Sequence, residues 1–262
     1  MGTLVSFQAH PDDESITVGA TLAKAAAAGH RVVLVFATRG ELGEPVPGVL
    51  AVGEQLPVRR SAECFASAAA LGAKRVEFLG WTDSGMMGEP ANAEPYCFWQ
   101  ADVEHAARRL AVILDEEEPD VLTVYDDNGG YGHPDHIQVH RVGNRAARLA
   151  GVPVVAQSTF PRELVRARLA ERLPEGVEPP AIDVDTFGKP EAEITHRVLA
   201  AGHAAAKRAS MLAHRSQMAD DHFLLTLPDE AFAAMMGTEH YVVDPLPVDV
   251  PELFTDLFTP AR

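Results

Sequence analysis

Five short runs of β-branched and aromatic residues recur through the first 157 residues of this 262-residue chain, separated by Ala-rich stretches. The runs TLVSFQA (3–9), RVVLVFA (31–37), RVEFLG (75–80), DVLTVYD (120–126) and VPVVAQ (152–157) are apolar almost throughout rather than at alternate positions. Strands of that kind need cover on both faces. Segments 14–28, 57–72, 99–117 and 134–150 space their apolar residues as helices do. Gly29, Gly72 and Gly151 fall where helix C-caps belong. The alternation predicts an α/β fold, a mostly parallel sheet between two layers of helices.

Beyond residue 157 the rhythm loosens. A helix is expected over 160–173, a Pro/Gly-rich connector over 174–190 with a short strand at 181–185, and a strand over 193–199. A helix from about 201 to 214 and a strand at 240–244 follow. One domain is expected, with core 1–157 and a smaller C-terminal part, 158–262, packed on its sheet. Two inserts, 38–57 and 81–98, are long and rich in Gly and Pro, and both follow strands. Loops of that size in a compact domain are more often functional than accidental.

Charge narrows the partners. With 22 Lys and Arg against 38 Asp and Glu the net charge is −16, the wrong sign for a nucleic-acid or anionic-membrane surface. No apolar run approaches the roughly 20 residues that span a bilayer, and the N-terminus lacks a basic signal-peptide region. A cytoplasmic location, free Cys64 and Cys97 thiols and a small-molecule substrate are expected; a homo-oligomer is compatible with the sequence.

The chemistry concentrates at two strand ends. VSFQAHPDDES (5–15) puts His10, Asp12, Asp13 and Glu14 on five consecutive positions after the first strand. Such a cluster repels itself and is costly to bury without a cation, although Asp12 or Asp13 could simply cap the helix. YDDNGGYGHPDHIQVHR (125–141) follows the fourth strand and supplies His133, Asp135, His136 and His140. Together they present His-x-x-Asp and His-x-x-His, the imidazole and carboxylate ligands that zinc prefers. In open parallel sheets ligands bind beyond the strand carboxyl ends.

With AHPDDE (9–14), GGYGHPDH (129–136), LGWTDSGMMG (79–88), FWQADVE (98–104), FGKPEAEITHRV (187–198) and AHRSQ (213–217), the chain strongly resembles the LmbE-like, or PIG-L, zinc-dependent N-deacetylases. Its motifs sit nearest the mycothiol-pathway GlcNAc-inositol deacetylase and mycothiol-conjugate amidase. The resemblance implies a Rossmann-like three-layer sandwich and a hydrolase that removes an N-acetyl or other N-acyl group from an amino sugar or glycoconjugate. It makes His10, Asp13 and His136 the metal ligands and Asp12 the general base. His133 becomes the electrostatic partner or proton donor, oriented by Asp135, and Tyr131 a hydrogen-bond donor to the oxyanion. Glu41, Arg60 and Asp83 match substrate-binding positions.

The roles are chemically coherent. Two imidazoles and one carboxylate leave a zinc site positive, which lowers the pKa of bound water toward roughly 7. Iron(II) suits the same ligand set. His140 is a rival ligand, four residues after His136, but the adjacent Glu of the metalloprotease motif is missing. His214 and Gln217 could line the cleft, whereas His105, His196, His203 and His222 read as surface or core residues. Met86 and Met87 could form a lid wall. Thr17 stands where the conjugate-amidase type carries lysine, which argues against that specificity. A phosphoester hydrolase and a non-catalytic sugar-binding module stay open, but a dinucleotide site does not, since no G-x-G-x-x-G follows the first strand.

Overall fold

The computed structural model describes residues 1–170, 183–243 and 245–261. Eight strands form one sheet in the order β3-β2-β1-β4-β5-β7-β6-β8. The first five in the chain are β1 (Thr3–Gln8), β2 (Arg31–Phe36), β3 (Arg75–Phe78), β4 (Val121–Tyr125) and β5 (Val154–Thr159). All pair in parallel, as expected. β6 (His196–Leu199), β7 (Thr238–Val242) and β8 (Thr259–Pro260) extend the sheet antiparallel from β5. The C-terminal part therefore continues the sheet instead of merely covering it, because β5 would otherwise expose a row of unpaired backbone groups.

Helices cover both faces. β1, β2 and β4 bury successive residues, which the pleat sends to opposite sides. Leu4, Val32, Leu34 and Phe36 pack with Leu22, Cys64 and Leu71 from α2 (Gly19–Ala27) and α3 (Leu56–Leu71). Val5, Phe7, Val33 and Val35 pack with Leu110, Leu114, Val139 and Val142 from α4 (Val103–Glu117) and α6 (Pro134–Ala150). Each such side chain contributes roughly 1.5–3 kcal/mol on burial. Gly143 lets α6 press onto β4, since a Cβ there would fall 2.4 Å from Val124 Cγ1.

The expected first helix is two helices. α1 (Asp13–Thr17) ends at Val18, and α2 starts afresh with its Ala20 and Thr21 N–H groups donating to the Glu239 carboxylate at 2.9 and 2.8 Å. Glu239, from β7, also takes Lys207 of α8 (Ala204–Ala213) at 2.6 Å, both buried. A four-residue turn, α5 (Gly129–Gly132), leads into α6, and α7 (Arg162–Ala170) follows β5. α4 begins at Val103, capped by Asp102, later than its spacing suggests. Of the short strand expected at 181–185, residues 183–185 are not in a strand and the rest lie outside the described residues. Residues 171–173 of the expected helix, and 244 of the last expected strand, also lie outside them.

One topological fact positions the site. β1 has β2 on one side and β4 on the other, with Leu4 opposite Val121 and Val5 opposite Leu122. The strand order reverses there, and the carboxyl ends of β1 and β4 open side by side into a crevice.

Candidate active site

His10 and His136 converge at that crevice, their ring centroids 5.4 Å apart. Asp13 Oδ2 stands between them, 3.3 Å from His10 Nδ1 and 3.4 Å from His136 Nε2. It also accepts the His10 backbone N–H at 2.9 Å. All three side chains are buried. Burial alone would raise the pKa of Asp13, but His136 and His10 hold it well below the ordinary value. Burial would likewise lower that of His10, yet Asp83, Asp13 and Asp135 raise it well above.

Tautomers separate the ligand candidates. His136 Nδ1 lies 3.1 Å from the Gly129 carbonyl, which can only accept, so this nitrogen carries the proton. Its Nε2 lone pair is then free, and that atom is buried without a hydrogen-bond partner. Tyr125 stacks flat on the ring at 4.2 Å and 8°. Gly129 itself is constrained: φ is +63°, and a Cβ would meet that of His136 at 2.5 Å.

His133 has the opposite arrangement. As N-cap of α6 its Nδ1 accepts the Asp135 N–H at 3.1 Å, which commits the one lone pair of a neutral imidazole and leaves Nε2–H as a donor. Burial, then repulsion from His10 and His136, pushes its pKa down to about 2, so it is neutral. Two sets of donors lie within 4.8 Å of one another: His10, His133 and His136, and His10, Asp83 and Asp135. The tautomer of His133 disqualifies the first, and Ser84 already occupies the Asp135 carboxylate of the second. Asp13, in contact with both His10 and His136, supplies the remaining carboxylate. His10, Asp13 and the orphaned Nε2 of His136 could hold zinc, an ion suited to this nitrogen and oxygen donor set.

Asp12 sits beside them in an unusual conformation, φ 110° and ψ −31°, a region costing a non-Gly residue of order 1–3 kcal/mol. Its backbone N–H donates to Glu14 Oε2 at 2.9 Å. Its carboxylate faces the cleft and pairs with Arg60 Nη2 at 3.2 Å. Burial raises its pKa to about 6, against the pull of Arg60 and with help from Asp13. Arg60 also donates to the carbonyls of Gly40 and Pro11. Tyr131, 43% exposed, edges toward His136 at 5.1 Å. Desolvation, then Asp13, raises its pKa, so the phenol stays protonated.

Asp135 and Glu41 make contacts that their place in the sequence does not announce. Asp135 does not orient His133 through its carboxylate; that group accepts from Ser84 N–H at 3.0 Å and Ser84 Oγ, and faces His10 Nε2 at 3.1 Å. Only the backbone N–H of Asp135 touches His133, because the histidine is already the cap of the helix that Asp135 enters. Glu41 does not line the cleft. Its carboxylate accepts the Asp83 N–H at 3.0 Å and so ties the two long loops together. Arg60 and Asp83 do line the cavity of about 320 Å³, with Asp12, His133, Met86 and Gln217.

Other histidines resolve plainly. His140 turns to the Tyr125 carbonyl at 3.1 Å, away from the cavity. His214 lies behind the site, fully buried, at 2.6 Å from Glu14 Oε1. This pair was not foreseen. The sequence signal was Glu14 itself, a fourth ionisable side chain in a buried run with no cation nearby in sequence. Asp126 was also overlooked: its Oδ1 accepts Asn128 and Gly130 N–H at 3.0 and 2.9 Å and shapes the turn that bears Gly129.

Fold and site together define a class: a Rossmann-like α/β sandwich with a cluster of nitrogen and oxygen donors and an acid beside it at the strand switch point. The PIG-L family, described as GlcNAc-PI de-N-acetylase, matches residues 5–147. A Thermomonospora curvata protein, named 1D-myo-inositol 2-acetamido-2-deoxy-alpha-D-glucopyranoside deacetylase, is 41% identical, covering 92% of this chain and 89% of the relative. A Catenulispora acidiphila protein of the same name, numbered 2, is 39% identical, covering 98% and 96%. The N,N'-diacetylchitobiose deacetylase of Pyrococcus horikoshii shares the fold at TM-score 0.63 and 18% identity, covering 93% of this chain and 84% of that one. The chain belongs to the PIG-L family, as its motifs suggested. Among the described residues, no helix is long and apolar enough to cross a membrane.

Proposed function

We propose that this protein is a zinc-dependent deacetylase that removes the N-acetyl group of an amino sugar of the GlcNAc-inositol type. The observation that carries the reading is the orphaned, buried Nε2 of His136 facing the Asp13 oxygen that His10 also contacts. Iron(II) would suit the same donors. A divalent cation held by His10, Asp13 and His136 supplies the charge that polarises an amide carbonyl and acidifies water.

The remaining chemistry belongs to the chain. Asp12, open to the cleft and near pKa 6, takes a proton from the attacking water. Arg60 holds that carboxylate in place. His133, neutral and with Nε2–H free to donate, and the protonated Tyr131 hydrogen-bond the oxygen on which negative charge develops. The proton held by Asp12 then passes to the departing amine, with His133 in reach of the same region. Arg60 and Asp83 face the cavity where the sugar hydroxyls would lie, and a carboxylate and a guanidinium suit a hydroxyl pair. Thr17 donates to the Asp13 carbonyl at 2.7 Å, so the position of the amidase lysine serves the local backbone here.

Zinc-loaded protein should release acetate from GlcNAc-inositol. No release from this or any N-acetyl amino sugar, or phosphate release from phosphoesters instead, would overturn the proposal.

A further inference from the structure

A second cavity, of about 160 Å³, adjoins the catalytic cleft. Asp13, Ile16 and Tyr131 line both, so the two lie side by side next to the proposed metal ligands. Their chemistry differs. The cleft presents Asp12, Arg60, Asp83 and His133. The second chamber is walled mainly by Ile16, Thr17, Tyr125, Tyr131, Phe160 and Phe187. Its aromatic walls are packed: Phe160 and Phe187 lie 5.2 Å apart and Phe187 stacks on Tyr131 at 6.4 Å.

An amide has two unlike sides. Its nitrogen carries the polar sugar and its carbonyl carbon carries the acyl chain. Placing an aliphatic chain among Asp12, Arg60 and Asp83 would strip those charges of water without replacing it. The apolar chamber imposes no such cost. We propose that this chamber binds the acyl side of the substrate and is sized for chains well beyond acetyl, which makes short and medium-chain N-acyl amino sugars substrates. The inference rests on the amide-hydrolase reading above.

Volume decides the length. An apolar cavity of about 150 Å³ holds benzene, six carbons, so this one takes the five carbons that follow the carbonyl of a hexanoyl group. An acetyl methyl leaves most of it unfilled. A third cavity of about 200 Å³ shares Ile16, Thr17 and Phe160 and runs on past Met235 and Met236, giving room for further extension. The reaction is hydrolysis without redox change. Water adds its oxygen to the acyl carbon, the C–N bond breaks, and a water proton goes to the nitrogen, releasing a carboxylate and an amine.

Each methylene removed from water is worth about 0.8 kcal/mol, about fourfold. The test compares kcat/KM of zinc-loaded full-length protein on N-acetyl-, N-butanoyl- and N-hexanoylglucosamine, read as glucosamine release, and measures acetate and hexanoate binding by calorimetry. The expected result is a rise of at least about tenfold from acetyl to hexanoyl, with hexanoate binding tighter than acetate by a similar factor. Thr17→Phe, which places a ring in the chamber, should lower the hexanoyl-to-acetyl ratio of both quantities by at least about tenfold. A flat or falling chain-length series with acetyl turnover intact overturns the chamber and leaves the deacetylase reading standing. Absence of turnover on every glucosamine overturns the deacetylase reading, and the calorimetry then decides the chamber alone: equal binding of the two acids overturns it. The series on the unaltered protein decides the matter even if Thr17→Phe does not fold.

Discussion

His214 Nε2 lies 2.6 Å from Glu14 Oε1, and neither side chain reaches solvent. The pair joins the segment after β1 to the end of α8, and Ser67 Oγ donates to the same carboxylate oxygen. The other oxygen of Glu14 accepts the N–H of Asp12, the residue with φ 110°. A strained backbone persists only where its surroundings over-determine it. Glu14 and His214 are those surroundings, which is why a third acid follows Asp12 and Asp13.

Breaking this pair should be costly. Removing one partner of a buried ion pair leaves the other uncompensated, at about 3–5 kcal/mol, so His214→Ala should lose about 3 kcal/mol by urea unfolding. Burial opposes both charges, but His214 lowers the pKa of Glu14 below 4.5 and Glu14 raises that of His214 above 6.5. The pair's contribution is therefore full between those two ordinary values. It is lost as pH falls through the folded value of Glu14 or rises through that of His214. The coupling energy of a Glu14→Gln and His214→Gln cycle should peak in that window. A coupling that does not vary with pH would contradict the assigned charges.

Metal binding and turnover should separate by mutation. Asp12→Asn keeps His10, Asp13 and His136 intact and should retain zinc while losing about 10²–10⁴-fold in kcat, the usual weight of a general base. His136→Ala should lose both. Zinc content by atomic absorption and acetate release give the two readouts. Near-normal kcat in zinc-loaded Asp12→Asn would assign the base elsewhere.

Asp126 should matter although it touches no ligand. Its carboxylate takes the Thr159 hydroxyl at 2.6 Å and two N–H groups of the following turn, whose Gly129 carbonyl accepts His136 Nδ1–H. Groups that orient a ligand in this way typically account for 10–100-fold in metal affinity. We expect Asp126→Ala to weaken zinc by about tenfold in a chelator competition. Unchanged affinity would show that the turn holds its shape without it.

Both thiols should be silent in the native state. Cys64 is 0% and Cys97 1% exposed, and burial pushes the Cys64 thiol well above its ordinary pKa. A colourimetric thiol reagent should react with neither until denaturant is added. Rapid labelling of the folded protein would mean that one of these regions opens readily.

Residues legible from sequence and residues that were not differ in the range of the interactions that place them. The five parallel strands were legible because strands covered on both faces must be apolar throughout. His10, Asp12, Asp13, His133 and His136 were legible because their spacing is local and their chemistry is scarce elsewhere in the chain. The break at Val18 was hidden, since it depends on Glu239 capping α2 from a distant strand. The Glu41 contact was hidden for a similar reason: its partner is the backbone of Asp83 on the other long loop.

By itself the sequence determined the alternation of strand and helix, and the donor atoms available at the ends of β1 and β4. Only the tertiary structure decided that these ends are neighbours, which imidazole nitrogen carries a proton, and which carboxylate faces which ring. Those choices follow from groups far apart in the chain, such as Ser84 on Asp135 and His214 on Glu14. A side chain's identity is local, but its hydrogen-bond partners and its dielectric surroundings are set by whatever the fold packs against it.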